Sequence, residues 1–314
     1  MIFNSPKSLL VLTLSIFLLQ FACNNQNQNE QKFKKTIGVS LLTRGHIFYR
    51  DLEDGLKTEA DKYGYKLIIT SAEWDLGKQI SHMEDFISRK VDAIVVCPVD
   101  SKGIGSGIAG ANNAGIPVFT ADIAAEEGNV VSHIASDNVQ GGKLAGEYLA
   151  KLLNGKGNIA IVNQPAITSV LDRVAGFREA INKYPDIKIV ADVNGQGVRD
   201  RSLQVTADIL QANPKLDGIF GINDDSALGA LDAVNQFNRK DVFIIGYDAT
   251  PPAVDAILKD SPLIADVVQY PKKIGIKTIE IINNHFNNKT VPKYVPVEVG
   301  IVDKETLRNK NVAK

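Results

Sequence analysis

Short β-branched runs alternate with longer helix-like segments along most of the chain, and this alternation constrains the fold more than any other feature. Candidate strands are Ile37–Leu42, Lys66–Thr70, Asp92–Cys97, Pro117–Ala121, Asn158–Asn163, Lys188–Val193, Gly218–Asn223 and Val242–Tyr247. Candidate helices are Asp51–Tyr63, Gln79–Arg89, Gly142–Leu153, Asp172–Lys183, Ser202–Gln211 and Ser226–Asn235. Alternation of this kind predicts an α/β fold in which helices cover both faces of parallel sheets. The strands read as continuous apolar runs, which is typical of strands buried on both faces.

Two sheets suit a chain of 314 residues better than one sheet of this many strands. The segment Val130–Ser136 is extended, yet it follows the strand Pro117–Ala121 with no helix between them. We therefore expect the chain to cross from a first domain to a second one at this segment.

The charge balance excludes one class of partner. Lys and Arg number 35, whereas Asp and Glu number 36, so neither sign is in excess. A nucleic acid or an acidic lipid surface therefore has no electrostatic support as a partner. Hydrophobic residues make up 44% of the chain, which is enough to bury a core.

Residues 1–22 are predicted to be a secretory signal peptide. Lys7 precedes the apolar run Leu9–Leu19, and a basic start before a short apolar stretch is typical of such signals. The run is shorter than the stretch of about 20 residues that crosses a bilayer. The pair Ala22-Cys23 resembles a bacterial lipobox, whose cysteine becomes the lipidated first residue, although the two residues before Ala22 depart from its pattern. A plain secretory signal cut nearby is the alternative.

Residues 23–35 are predicted to form a disordered tether, so that the lipid anchor is the only contact with the membrane. Asn24–Gln31 consists of amide side chains and one glutamate and has nothing to bury. The second cysteine, Cys97, lies in an apolar run and is predicted to be a small core residue.

Polar and aromatic side chains collect where the candidate strands end. Among them are Arg44, His46, Phe48, Tyr49, Trp74, Asp100, Asp122, Gln164, Asn223, Asp224 and Asp248. Ligands of open parallel sheets bind beyond the carboxyl ends of the strands, and planar carboxylate, amide and guanidinium groups can pair with adjacent sugar hydroxyls. Any single one of these residues could instead be a helix cap, Asp100 and Asp224 above all. The series as a whole points to a site for a sugar-like ligand.

Other kinds of site find no support in the sequence. Gly105, Gly107 and Gly110 spell a dinucleotide-type pattern, but such a site needs its first glycine at the end of a strand. Residues 98–104 intervene, so we expect these glycines inside a helix. The 4 histidines lack the spacing of a metal site, and no nucleophile elbow occurs. We therefore predict no cofactor, no metal and no enzymatic activity.

Several longer motifs carry a family resemblance. They are Val130–Asn138 with Gly141-Gly142-Lys143, Ala227–Leu231 and Gly246–Pro251. With these motifs in this order, residues 36 to about 302 resemble the periplasmic ribose-binding-protein family, the type 1 sugar-binding proteins of ABC importers. The resemblance implies two similar doubly wound parallel-sheet domains that are joined by a three-segment hinge and close over one ligand. It places 36–136 plus 270–297 in an N-terminal sugar-binding subdomain and 137–269 plus 298–314 in a C-terminal one.

The resemblance also implies which residues contact the ligand. The first domain contributes two stacking aromatics and an acid for hydroxyl groups, and the second domain contributes an arginine and further polar contacts. In this sequence the matching residues are Phe48, Tyr49 and Asp122, followed by Arg173, Asn223, Asp248 and Gln269.

Some positions depart from the ribose-binding pattern. His46 stands where ribose binders have an asparagine, and Ile123 replaces the arginine that follows the first-domain aspartate. Trp74 adds an aromatic ring that either stacks on the ligand or packs at the rim on its own domain. We count His46 and Trp74 among the predicted ligand-binding residues. Because Ile123 offers no hydrogen bond to a hydroxyl, we predict that the ligand is not plain ribose.

Together with the predicted lipid anchor at Cys23, the resemblance implies a monomeric extracytoplasmic lipoprotein, periplasmic or at the cell surface. This protein would capture a monosaccharide or polyol for the permease of an ABC transporter. A chemoreceptor is a second candidate partner. A furanone-type quorum signal or a chemoreceptor ligand is the alternative to a nutrient. A transcriptional repressor would need a helix-turn-helix where the signal sequence stands, and a secreted enzyme would convert its ligand to product.

Overall fold

A computed structural model describes residues 33–312 of the chain. The predicted signal peptide (1–22), the predicted lipidation site Cys23 and most of the predicted tether lie outside the described residues. Lys35, predicted as the last residue of the tether, instead begins the first strand. It pairs with Tyr65 on the neighbouring strand, and its Nζ lies 2.8 Å from a carboxylate oxygen of Asp92.

Strands and helices alternate as predicted. The strands are β1 (Lys35–Leu41), β2 (Tyr65–Ser71), β3 (Ala93–Val96), β4 (Val118–Ala121), β5 (Ser132–Ser136), β6 (Lys156–Asn163), β7 (Asp186–Asn194), β8 (Gly218–Gly221), β9 (Phe243–Asp248), β10 (Leu263–Val268), β11 (Tyr294–Val297) and β12 (Gly300–Asp303). The helices are α1 (Ile47–Tyr63), α2 (Leu76–Ser88), α3 (Gly105–Asn113), α4 (Asn138–Leu152), α5 (Thr168–Ile181), α6 (Arg199–Ala212), α7 (Asp224–Gln236), α8 (Pro251–Leu258), α9 (Pro271–Phe286) and α10 (Lys304–Val312).

The described strands form two six-stranded sheets of similar topology. The first has the order β11-β5-β4-β3-β1-β2 and the second the order β12-β10-β9-β8-β6-β7. Paired strands run parallel, except that β12 is antiparallel to β10. The prediction of two similar parallel-sheet α/β domains is confirmed.

The chain passes between the two sheets at three places. The first passage follows β5, which itself pairs with β4 in the first sheet, so the chain crosses after Ser136. The second lies between β10 and α9, because α9 packs against α1 of the first domain. The third lies between β11 and β12, which belong to different sheets.

Local signals explain where two elements that position the site begin and how they pack. Helix α1 begins at Ile47 rather than at the predicted Asp51, because His46 caps it through Nδ1, which accepts a hydrogen bond from the amide of Phe48. Helices α4 and α5 approach so closely that a side chain at Gly142 would overlap the carbonyl of Arg173. Because Gly142 has no side chain, α5 packs directly against the backbone of α4, and this close packing positions Arg173 at the site.

The glycine-rich segment that resembled a dinucleotide motif lies within α3, as predicted. The predicted core residue Cys97 is fully buried. In the second domain the rings of Phe177 and Phe220 stack at 4.5 Å between α5 and the sheet. Within residues 33–312, no helix has both the length and the apolar character needed to cross a membrane.

Candidate ligand-binding site

All nine predicted ligand-binding residues line one cleft between the two sheets. The cleft holds about 480 Å³ of empty space, counting its side open to solvent. The first domain contributes His46, Phe48, Tyr49, Trp74 and Asp122, and the second contributes Arg173, Asn223, Asp248 and Gln269. The structure therefore brings together residues that are widely separated in the chain.

Several further residues line the cleft. Gln164 and Ile123 were already noticed in the sequence, one at a strand end and the other as a departure from the ribose pattern. The sequence did not single out Leu42, Ile167, Ser169, Val170 and Ile222. Helical spacing could have indicated two of them. Ser169 and Val170 lie four and three positions before Arg173, so they share its face of α5.

Tyr49 and Asp122 form the buried polar centre of the first-domain wall. The hydroxyl of Tyr49 donates a hydrogen bond of 2.8 Å to Asp122 Oδ2. Asp122 Oδ1 is buried and has no partner in the part of the protein that the structure describes. Burial raises the pKa of Asp122 to about 6, and Arg173 and the Tyr49 hydroxyl oppose the rise. The first domain thus presents one free, buried acceptor to the cleft.

Apolar groups surround this acceptor. Ile123 follows Asp122 directly and is only 3% exposed. The ring of Phe48 meets the ring of Tyr49 edge to face, with centroids 5.2 Å apart. The first-domain wall therefore combines a single carboxylate oxygen with hydrocarbon surface.

Arg173 is the fixed cation of the second-domain wall. Its Nε donates to Asn138 Oδ1 at 2.9 Å, and a terminal nitrogen donates to the carbonyl of Ile222 at 2.8 Å. The guanidinium also stacks over the ring of Tyr247 at 3.9 Å. These contacts hold the guanidinium in place without a ligand.

Asp248 and Gln269 stand beside the arginine. Gln269 Nε2 donates to Asp248 Oδ1, whereas Gln269 Oε1 is buried and unpartnered among the described groups. Arg173 lies 3.9 Å from Asp248 Oδ1, which is longer than a hydrogen bond. Burial raises the pKa of Asp248, and the charge of Arg173 opposes that rise.

His46 reaches across the cleft toward Asp248. Its Nδ1 accepts from the backbone of α1, so the ring proton of the neutral imidazole is on Nε2. His46 Nε2 lies 3.7 Å from Asp248 Oδ2, too far for a direct hydrogen bond. A group placed between them can contact both domains.

Asn223 caps a helix and also lines the cleft, whereas Trp74 lies at the mouth of the cleft. Asn223 caps α7, because its Oδ1 accepts from the amide of Ser226, and its Nδ2 donates to the carbonyl of Gly197. One N–H of the Asn223 amide is left for a ligand. Trp74 lines the cleft but is 41% exposed, which places it at the mouth.

The two domains also touch directly at one edge of the cleft. The amide of Thr168 donates to Ser101 Oγ at 3.1 Å. Thr168 Oγ1 accepts from the amide of Ala124 at 3.1 Å. Thr168 begins α5 in the second domain, whereas Ser101 and Ala124 belong to the first. These hydrogen bonds join the two domains beside the cleft.

Over residues 33–312, no group of three or more His, Cys, Asp or Glu side chains is arranged to hold a metal ion. The functional groups of the cleft are therefore a set of hydrogen-bond donors and acceptors together with aromatic and aliphatic surface. Such a set recognises a small polar ligand by shape and hydrogen bonding.

Comparison with known proteins agrees with this reading. The periplasmic binding protein domain pattern matches residues 37–290. The ribose import binding protein of Bacillus subtilis is 35% identical over 294 residues, which cover 91% of this chain and 94% of that protein. The xylitol-binding protein of Mycolicibacterium smegmatis is 29% identical over 279 residues, which cover 87% of this chain and 79% of that protein. The crystal structure of a periplasmic solute-binding protein of an ABC transporter from Actinobacillus succinogenes, with bound D-allose, has a TM-score of 0.81 at 31% identity and covers 88% of this chain and 100% of that one. The chain therefore belongs to the periplasmic binding protein domain family.

Proposed function

We propose that this chain is an extracytoplasmic solute-binding protein that captures one monosaccharide or polyol for an ABC importer. The observation that carries the proposal is the unmet hydrogen-bonding capacity of the cleft. Asp122 Oδ1 and Gln269 Oε1 come from opposite walls, and both are buried without a protein partner among the described residues. A buried acceptor without a donor costs about 1–3 kcal/mol. A hydroxylated ligand supplies the missing donors to both walls at once.

The relatives support this class of ligand. The proteins named above are a ribose import binding protein, a xylitol-binding protein and a solute-binding protein with bound D-allose. A further solved structure, 28% identical and from Bacillus halodurans, contains myo-inositol. All four ligands are small and carry several hydroxyl groups. The names of these proteins describe binding and import rather than a reaction, which supports our inference that the chain is not an enzyme.

Ile123 restricts the range of possible ligands further. An arginine at this position would offer charged donors, and each such hydrogen bond contributes about 1.5–3 kcal/mol. A hydroxyl that faces Ile123 would lose its water without gaining a partner, at a further cost of about 1–3 kcal/mol. Together these effects weaken plain ribose by about 10²-fold or more. We infer that the ligand presents a C–H, methyl or deoxy carbon to Ile123, or has a ring size that directs its hydroxyls elsewhere.

We also propose the processing and the domain limits that the sequence suggests. Residues 1–22 would be removed and Cys23 lipidated, which would anchor a monomeric protein at the outer side of a membrane and beside its permease. The three passages between the sheets support subdomains at 36–136 plus 270–297 and at 137–269 plus 298–314.

A thermal-shift screen of the mature protein tests the proposed function. The panel consists of pentoses, hexoses, deoxy sugars and polyols. A compound at 100 times its Kd adds about 2.7 kcal/mol to the free energy of unfolding, and Asp122→Ala is the matched variant in which the shift should disappear. Recovery of the compound unchanged after incubation distinguishes binding from turnover. A panel in which no compound raises the melting temperature would contradict the proposal.

A further inference from the structure

Two buried carboxyl groups lie behind the cleft, and neither of them lines it. Asp224 is the first residue of α7 and is 1% exposed, and Asp266 lies in β10 and is 0% exposed. Charged residues are almost never buried to this extent without a partner. The binding function proposed above does not by itself explain why two acids occupy this position.

Each carboxyl holds one amide of the turn that follows Asp248. Asp266 Oδ1 accepts from the amide of Ala249 at 3.0 Å, and Asp224 Oδ2 accepts from the amide of Thr250 at 2.6 Å. The φ angles are 118° at Asp248 and 52° at Ala249. Residues with a side chain seldom adopt positive φ, so the surrounding contacts must hold this turn.

The remaining two oxygens of the pair lie next to each other. A Cβ atom on Gly246 would lie 3.1 Å from Asp224 Oδ1 and would overlap Asp266 Oδ2, so both oxygens flank the same point. Among the groups that the structure describes, neither oxygen has a hydrogen-bond partner when both acids are ionised. One added proton turns them into a hydrogen-bonded carboxyl pair.

Electrostatics favour that proton. Burial raises the pKa of both acids, and the charge of Asp224 adds to the rise at Asp266. Asp248 is a third carboxylate beside the pair, and it raises the pKa of both. Arg173 and His46 lower the pKa of Asp248, but they lie on the cleft side of it. Like charges this close cannot both ionise in a buried site.

We propose that Asp224 and Asp266 are positioning residues that share a proton and hold the Asp248–Thr250 turn, so that the carboxylate of Asp248 faces the cleft. The effect on ligand binding, through the orientation of the Asp248 carboxylate, rests on the proposed function. The shared proton and the hydrogen bonds that hold the turn do not depend on it.

Proton linkage tests the pair in the ligand-free protein. Asp266 keeps its proton when folded and loses it on unfolding once the pH exceeds the ordinary carboxyl pKa of about 4. Folding therefore takes up a proton, and stability falls as the pH rises. Asp266→Asn keeps a donor for Asp224 and an acceptor for Ala249 but cannot titrate. Between about pH 5 and 7 the unfolding constant of the wild type should rise about tenfold more per pH unit than that of Asp266→Asn.

Two further variants separate positioning from general stability. Asp225→Asn changes the half-buried neighbour of Asp224 and should keep the wild-type pH slope. Asp266→Val preserves a strand-forming side chain but removes both hydrogen bonds, and Asp266→Ala serves in its place if valine prevents folding. Calorimetry with xylitol, D-allose and myo-inositol should give a Kd for Asp266→Asn within about threefold of wild type. The apolar variant should bind at least about tenfold more weakly.

Equal pH slopes for the wild type and Asp266→Asn would overturn the shared proton. Unchanged affinity in the folded Asp266→Val or Asp266→Ala variant would overturn the positioning role. If none of the three polyhydroxylated probes binds the wild type, none of them is the ligand, and the turn itself has to be measured. In that case hydrogen exchange of the Ala249 and Thr250 amides decides whether the pair holds the turn. The amides should stay protected in Asp266→Asn and exchange at least about tenfold faster in the apolar variant.

Discussion

Tyr49→Phe removes one oxygen atom from the centre of the cleft, and we expect it to destabilise the ligand-free protein in a pH-dependent way. The Tyr49 hydroxyl lies 2.8 Å from Asp122 Oδ2, and both side chains are buried. Because Asp122 Oδ1 already lacks a described partner, the substitution leaves both carboxylate oxygens without a donor. Phenylalanine keeps the ring and its edge contact with Phe48, so packing changes little.

The expected magnitude follows from the protonation state of Asp122. A hydrogen bond to an ionised carboxylate contributes about 1.5–3 kcal/mol, and one to a neutral acid about 1 kcal/mol. The pKa of Asp122 is raised by burial to about 6, while the Tyr49 hydroxyl lowers it. Stability from this group is present below the unfolded pKa of about 4 and is lost as the pH rises through the folded value. Removing the hydroxyl moves the folded pKa higher and extends the loss.

We therefore expect Tyr49→Phe to lower the free energy of unfolding by about 1 kcal/mol at pH 5 and by about 2–3 kcal/mol at pH 7.5. Urea denaturation followed by circular dichroism measures both values. Tyr63→Phe, at the half-buried end of the same helix, is the control and should change stability by less than about 0.5 kcal/mol. An equal loss at the two pH values, or no loss at all, would refute the assignment of a buried, ionisable partner to Tyr49.

Three other predictions follow from the anchor and the cleft. Cys23→Ser should release the protein into the soluble fraction while ligand binding persists; a variant that stays with membranes after a salt wash would contradict lipid anchoring. Ligand should reduce the radius of gyration measured by small-angle scattering, because Asp122 and Asp248 belong to different domains and a ligand between them favours the closed state; an unchanged radius at saturation would indicate binding to one domain only. In calorimetry D-ribose should bind more weakly than 1 µM, since Ile123 offers it no donor, and submicromolar binding would overturn that argument.

The sequence predicted the parallel-sheet α/β architecture because central strands such as β3, β4 and β8 are fully buried and read as apolar runs. It did not predict β10, in which Asp266 interrupts the apolar pattern. In the folded protein that acid contacts the amide of Ala249 and the carboxyl group of Asp224, which is far from it in the sequence. The short strands β11 and β12 were also missed. They have four residues each, and unlike the equally short β3, β4 and β8 they are only partly buried. No unbroken apolar run therefore marks them in the sequence.

The candidate site was predictable as a set of residues but not as a network. Sequence patterns placed Tyr49 and Asp122 at the ends of different strands, yet nothing local indicates that one donates to the other. His46 and Asn223 illustrate a second limit. Each was weighed either as a helix cap or as a ligand residue, and in the structure each caps a helix and lines the cleft. Capping and ligand contact use different atoms of one side chain, so the same residue can serve in both roles.

The spacing of charged groups across the cleft explains how one ligand can couple two domains. The position of Arg173 is fixed by Asn138 and by the carbonyl of Ile222, so it does not depend on a ligand. Asp248, in contrast, lies 3.9 Å from Arg173 and 3.7 Å from His46 on the opposite wall. A hydroxyl donates and accepts at once, so one hydroxyl between these groups replaces long contacts with hydrogen bonds of ordinary length. Because His46 belongs to the first domain and Asp248 to the second, such bonds form only in the closed state, and their free energy therefore favours closure.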